Sequence, residues 1–286
     1  MKRTLFFLFS CCFLFACKGT GPEPGPALQI DVNGVSREYR LFVPASPPEG
    51  AMPLLFAVHG GSGRPDPYPQ QVQFEELAEE EGVVVVYPLS ELLPGNEGEW
   101  QLNTSPDSRQ DLDFIEALID EVSAQHAIDS TRVYATGYSL GSMFVYELAC
   151  HLSSRFAAVA SHAGSMPVTP NSCDGAENAA VMHIHGVQDG IIPYGESWDW
   201  KNWENIGPMM DVPGLVQFWA DQSDCQDSSE TESGSSTHVT HDNCAQGVRV
   251  EHWRLEQVGH EWPEEIETVS THEVIWAFLS EFSRPE

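Results

Sequence analysis

The sequence predicts an α/β fold from residue 27 onward, with a mostly parallel central sheet, helices on both faces and an antiparallel hairpin at the N-terminal edge. Three observations carry this. Short apolar, β-rich runs alternate with segments of helical period, as βαβ units require. The runs are apolar throughout, as in Val83–Tyr87 (VVVVY), so both faces of those strands are covered. Asn33-Gly34 separates two extended segments, the strongest short hairpin signal.

Taken in order, Ala27–Val32 and Val35–Val43 are the hairpin strands. Leu54–His59 is a buried strand running into a glycine loop, His59-Gly60-Gly61-Ser62-Gly63. Gln71–Glu81 places Val72, Phe74, Leu77 and Ala78 on one helical face and stops at Gly82. The strand Val83–Tyr87 follows. Ser108-x-x-Asp111 has the form of a capping box, opening a helix whose Leu112, Ile115, Ile119 and Val122 recur at helical spacing. Next come a strand at Arg132–Thr136, a helix at Leu140–Leu152, and strands at Phe156–Ser161 and Ala179–His185. A helix at Val212–Gln222 leads into an acidic, polar loop to Asn243, then a strand at Gly247–Val258 and a last helix at Thr271–Phe282. No internal repeat and no further linker divides residues 27–286, which read as one catalytic domain.

The 286 residues carry 13 Lys+Arg against 43 Asp+Glu, a formal charge of −30. Such a surface repels nucleic acid and anionic lipid, whose binding requires basic patches. The 41% hydrophobic content is that of an ordinary globular domain.

Residues 1–16 read as an export signal: Lys2 and Arg3 precede an apolar run from Leu5 to Phe15. That run is shorter than the about 20 residues a spanning helix needs. Leu14-Phe15-Ala16-Cys17 resembles a bacterial lipobox and predicts acylation of Cys17, the one membrane attachment expected; Phe15 is an unusual residue there, so plain secretion is the alternative. Residues 17–26 form a Pro/Gly tether. Beyond Cys17 stand Cys150, Cys173, Cys225 and Cys244, which in an exported protein predict two disulfides with three possible connectivities; neighbour pairing is the most economical.

Gly137-Tyr138-Ser139-Leu140-Gly141 sits between a strand and a helix, the setting a nucleophile elbow requires. A serine hydroxyl needs a base, and the base needs a carboxylate to orient it. Asp189 and His260 lie in loops that follow strands, in the chain order Ser, Asp, His. Asp199 and Asp211 are rivals of Asp189, and His252 and His272 of His260, but none is placed as well. The oxyanion donors expected are the backbone N–H of Leu140 and one from the glycine loop, Gly61 or Ser62. His183 and His185 alternate on one strand face with no matching third ligand, so they read as satisfied sheet histidines and no metal is expected. The acidic loop Asp221–Asn243 lacks a calcium-ligand ladder and reads as a solvated loop stapled by Cys225 and Cys244.

The run from Asp111 to Gly164, with HGG at His59–Gly61, HIHGVQDGIIPY at His183–Tyr194 and VGHEWP at Val258–Pro263, resembles the polyhydroxybutyrate-depolymerase-like esterases. These group with the feruloyl and acetylxylan esterases of carbohydrate esterase family one. The resemblance spans about residues 28–283. It implies an α/β-hydrolase fold and serine carboxylic-ester hydrolysis without a cofactor, with Ser139 as nucleophile, Asp189 as the histidine's partner and His260 as base and acid. It also supports the two neighbour disulfides. Leu140 departs from the small or polar residue many members carry after the nucleophile.

For substrate contacts the sequence offers His59, Tyr138, Trp100, Trp262 and the Trp-rich stretch Gly195–Met210, of which Trp198 is the first tryptophan. Flat aromatic surfaces suit sugar rings and phenolic acyl groups. The reading is an exported esterase acting on feruloyl or acetyl esters of polysaccharide. Short hydroxyalkanoate esters are the alternative substrate. A surface-binding lipoprotein with decayed machinery is the alternative of another class. No binding module follows the domain, so poor attack on crystalline polymer is expected.

Overall fold

A computed structural model describes residues 24–61, 67–92, 98–104, 108–170, 173, 180–199 and 207–285. The signal, the tether up to residue 23, Cys17, Ser62, Trp200 and Trp203 lie outside the described residues. Ten strands form one mixed sheet: β1 (Leu28–Val32), β2 (Val35–Phe42), β3 (Met52–Val58), β4 (Val84–Pro88), β5 (Ile128–Tyr138), β6 (Ala158–His162), β7 (Ala180–Gly186), β8 (Asp227–Ser233), β9 (Ser236–Asp242) and β10 (Val250–Leu255). Their order is β1-β2-β4-β3-β5-β6-β7-β10-β9-β8. The run from β4 to β10 is parallel, and antiparallel strands close both edges.

The apolar runs explain the layering. Every residue of β3, β4, β6 and β7 is buried, because side chains that alternate across a strand meet helices on both sides. Leu54, Phe56 and Val58 of β3 face α3 (Gln110–Gln125), α4 (Leu140–His151) and α5 (Val212–Gln222). Leu55 and Ala57 face α1 (Tyr68–Val72), α2 (Phe74–Glu81) and α6 (Thr271–Leu279). Among the described residues no helix is long and apolar enough to cross a membrane.

Three expectations are corrected. The predicted helix over 71–81 is two helices, split at Gln73, whose left-handed φ of 55° breaks the run. Ser108 does not cap α3: the helix starts at Gln110 and its N-cap residue, Arg109, makes no side-chain cap bond. The Asp111 carboxylate is committed elsewhere, pairing with Arg37 at 2.7 Å and accepting the Gln101 N–H at 2.8 Å. The polar stretch expected to be a loop is instead the hairpin β8–β9, which pairs with β10 and extends the sheet. Every residue of β8 is exposed, so it is held by ladder hydrogen bonds with no apolar face to announce it.

Disulfides join Cys150 to Cys173 and Cys225 to Cys244, the neighbour pairing. The second clamps the base of the β8–β9 hairpin, where Gln226 N–H donates to the Asp242 carbonyl at 3.2 Å.

Candidate active site

The site stands where β5 turns into α4. Ser139 is the N-cap of α4 with φ 55° and ψ −121°, a conformation non-glycine residues adopt only when the surroundings impose it. The glycines on either side make the turn possible. A Cβ on Gly137 would run into the Gly141 carbonyl, and one on Gly141 into the carbonyls of Val58 and His59. Strand, helix and the end of β3 thus approach more closely than any side chain permits. Ser139 N–H donates to the His162 carbonyl at 2.9 Å and ties the turn to β6.

His260 lies beyond β10. Its Nε2 is 2.9 Å from Ser139 Oγ and its Nδ1 is 2.8 Å from Asp189 Oδ2. A carboxylate only accepts, so Nδ1 carries the proton and Nε2 is free to accept the serine hydroxyl. The Asp189 side chain is fully buried. Its Oδ1 accepts the N–H groups of Ile191 and Ile192, both at 2.8 Å, and its Oδ2 also lies 3.3 Å from His185 Nε2. Burial opposes ionisation, but donors from His185, His260 and Ile192 outweigh it and hold the carboxyl well below its ordinary range.

Tyr138 packs beside this line. Its ring stacks on His162 (centroids 5.4 Å apart), lies 5.4 Å from the His260 ring and meets Trp262 edge-on at 6.3 Å. Its hydroxyl donates to the His260 carbonyl. Burial, with the charges of Asp189 and Glu261, pushes its phenol up to about 12, so it remains a donor. Trp262 is half-buried at this edge, as is Trp198, whose segment pairs with Pro208–Met209.

Gly60 and Gly61 lie against the elbow. A Cβ on Gly60 would come 3.2 Å from Ser139 Cβ, and one on Gly61 would come 2.8 Å from Leu140 Cδ2. Leu140 opens α4, where the first N–H groups have no partner within the helix and the dipole favours negative charge.

Two residues expected at the substrate are corrected. His59 is buried, with Nε2 accepting the Ser90 N–H at 3.1 Å and Nδ1 donating to the Gly60 carbonyl at 2.7 Å. Burial pushes its imidazole down to about 4, against a smaller upward pull from the Gly60 carbonyl. Trp100 is 1% exposed, stacked on Phe144 at 4.9 Å and donating to the His59 carbonyl at 2.9 Å. Neither offers a free surface; both brace the backbone at His59 and Gly60.

Reasoning from the sequence missed a group of buried partners behind Asp189. His183 and His185 are satisfied sheet histidines, as expected, yet they connect inward to Tyr146 and, at the His183 backbone carbonyl, to His252. Tyr194 caps His252 at 2.9 Å. The signal in the sequence was His185 standing four positions before Asp189. Among the described residues no three His, Cys, Asp or Glu side chains converge as a metal site would require.

A parallel sheet with a strained serine at a strand-to-helix turn, facing a histidine and a carboxylate from later loops, defines the α/β-hydrolase class. Residues 37–191 match the family model described as Esterase PHB depolymerase, and the chain belongs to that family. It is 26% identical over 261 residues to the bifunctional acetylxylan esterase/xylanase XynS20E of Neocallimastix patriciarum, covering 87% of this chain and 34% of that protein. It is 22% identical over 238 residues to feruloyl esterase B of Piromyces equi, covering 82% of this chain and 43% of that one. The chain therefore spans less than half the length of either relative. The solved acetyl xylan esterase from Aspergillus awamori shares the fold, with a TM-score of 0.67 at 16% identity over 90% of this chain and 99% of that one.

Proposed function

We propose that this protein is an exported serine esterase that removes acyl groups from esterified polysaccharide. The observation that carries the reading is the hydrogen-bonded line Ser139–His260–Asp189, at 2.9 Å and 2.8 Å, in a chain of this family. The relatives named for acetylxylan and feruloyl ester hydrolysis support the substrate class. In this reading residues 1–16 are the export signal, 17–26 a tether acylated at Cys17, and 27–286 the catalytic domain.

The chemistry follows from the tautomer. His260 Nε2 takes the Ser139 proton as Oγ attacks the ester carbonyl carbon. The carbonyl oxygen gains the charge and is met by the N–H of Leu140 and by one from the glycine loop, at Gly61 or Ser62. The tetrahedral intermediate collapses, and the alcohol leaves with the proton from His260. Water then attacks the acyl-serine by the same steps and releases the acid. Asp189 keeps the imidazole in its Nδ1–H form and stabilises its cation.

The test is acid release by residues 27–286 from acetylated xylan, methyl ferulate and a 3-hydroxybutyrate oligomer, with Ser139→Ala as the blank. The reading expects acetate or ferulate release that Ser139→Ala abolishes. Turnover of the hydroxybutyrate oligomer alone moves the substrate to short polyesters. Equal release by wild type and Ser139→Ala overturns the catalytic assignment.

A further inference from the structure

Behind the carboxylate that holds the base runs a chain of buried polar groups that the ester chemistry itself does not use. His185 is wholly buried, with Nε2 3.0 Å from the Ile192 carbonyl and 3.3 Å from Asp189 Oδ2. Both of those oxygens only accept, so His185 Nε2 carries a proton. In the neutral ring Nδ1 then accepts, and the group facing it at 3.1 Å is His183 Nε2, which must therefore carry a proton as well. His183 Nδ1 is left as an acceptor, and it finds the Tyr146 hydroxyl at 2.7 Å and Ser161 Oγ at 3.3 Å. With the His185 ring neutral, the contacts run one way: Tyr146 donates to His183, His183 to His185, and His185 to the Ile192 carbonyl, with Asp189 Oδ2 3.3 Å from the same nitrogen.

The outer end of this chain bears on catalysis through the Ile192 peptide. Its N–H donates to Asp189 Oδ1 and its carbonyl accepts from His185. His185 therefore fixes the Asp189 loop from behind, while its N–H lies against the same oxygen that orients His260. Burial makes this consequential, since a carboxylate without water depends on protein donors for both its charge and its rotamer.

We propose that His185 is a positioning residue of the esterase reaction: its Nε2–H, locked in that tautomer by His183 and Tyr146, holds the Asp189 carboxylate and the 189–192 loop in the geometry that orients His260. This rests on the esterase reading above. It concerns how the carboxylate is aimed, and it assigns a role to a side chain that touches neither substrate nor the reacting atoms.

The test is a double-mutant cycle with p-nitrophenyl acetate. His185→Asn keeps an acceptor for His183 but is too short to reach Ile192 or Asp189. His185→Gln restores a donor near the Nε2 position. His185→Asn should lower kcat about 10- to 100-fold with KM within about twofold, and His185→Gln should recover kcat to within about threefold of wild type. In an Asp189→Asn background, His185→Asn should change kcat by less than about twofold, because the group it acts through is already lost. Thermal unfolding confirms that each variant is folded. Should His185→Asn not fold, His185→Leu, close to imidazole in volume, removes the donor in the same cycle. A further tenfold loss in the Asp189→Asn background, a kcat unchanged by losing the donor, or a loss carried by KM overturns the assignment. Wild type and Ser139→Ala set the ends of the scale. If they do not differ, the esterase reading fails and His185 falls with it; if they differ and the cycle is additive, the His185 assignment alone falls.

Discussion

Replacing Asp189 by asparagine is the sharpest perturbation of this site, because the surrounding donors dictate how the amide must sit. Oδ1 receives two backbone N–H groups, from Ile191 and Ile192 at 2.8 Å each. The amide oxygen takes that position, and the NH₂ group moves to where Oδ2 stood, facing His260 Nδ1. Two donors cannot share that 2.8 Å contact, so His260 gives up its Nδ1 proton and carries it on Nε2. An Nε2–H pointing at Ser139 Oγ cannot accept the serine proton, and the base is lost while the geometry survives. A tautomer error of this kind costs about 10⁴ in kcat in a serine protease triad, or about 5 kcal/mol of transition-state stabilisation. The assay is steady-state hydrolysis of p-nitrophenyl acetate at neutral pH, with unfolding temperature as the control for integrity. Asp211→Asn is the comparison, since Asp211 caps α5 through the Gly214 N–H at 2.7 Å and asparagine caps nearly as well. It should leave kcat within about twofold. An Asp189→Asn variant that keeps kcat within tenfold of wild type refutes the tautomer argument.

Four further outcomes are expected. Trp100→Ala should cost about 3–5 kcal/mol of stability as a buried aromatic, read by urea unfolding, whereas Trp262→Ala should leave stability nearly intact and change KM for methyl ferulate. Cys225→Ser with Cys244→Ser should lower stability by about 3 kcal/mol for a closed loop of this size, measured as a lower unfolding temperature; an unchanged temperature would count against the clamp. Asp189 is held below its ordinary range when folded, so its stabilisation is complete above the unfolded pKa of about 3.9 and is lost as pH falls through the folded value. The gap between the urea midpoints of wild type and Asp189→Asn should accordingly hold steady down to about pH 4 and narrow only below the unfolded pKa of about 3.9, and a gap that widens on acidification would contradict this. Gly186→Ala drives a Cβ into the carbonyls of Val258 and Gly259 beneath His260; a shift of about 1 Å in that loop should cost on the order of 10² in kcat, checked with p-nitrophenyl acetate.

The central strands were legible because burial on both faces forces continuous apolar runs, and Val83–Tyr87 has no other comfortable home. The elbow was legible because Gly137 and Gly141 are demanded by backbone contacts that leave a fingerprint in the sequence. The order Ser139, Asp189, His260 followed from loops that must leave one edge of a parallel sheet. The hairpin β8–β9 was not legible: a wholly exposed edge strand such as DSSETES carries no apolar period to read. Trp100 misled because an aromatic in an acidic stretch looks like a binding surface, whereas its indole closes the core under His59. The inner histidine chain was half legible. The spacing of His183 and His185 puts both on one face, but their meeting with Tyr146 and Ser161 depends on which strand and helix neighbour β7.

The candidate site's precision comes from register rather than from its three side chains themselves. β7 and β10 are paired in parallel, with His183 opposite His252 and His185 opposite Arg254. The loops that continue them are then stitched together: Val187 N–H donates to the Leu255 carbonyl at 2.9 Å and Gln188 N–H to the Val258 carbonyl at 3.0 Å. Gln188 Nε2 reaches the Glu256 carbonyl at 3.1 Å, and the Tyr138 hydroxyl anchors His260 from the elbow side. Asp189 and His260 are 71 positions apart in sequence, yet their separation is set within a few residues of a shared strand ladder. Ser139 is joined to the same frame through the His162 carbonyl on β6, the strand beside β7. In the proposed reaction these three side chains inherit the rigidity of three neighbouring strands, and little free energy would be required to organise them when an ester binds.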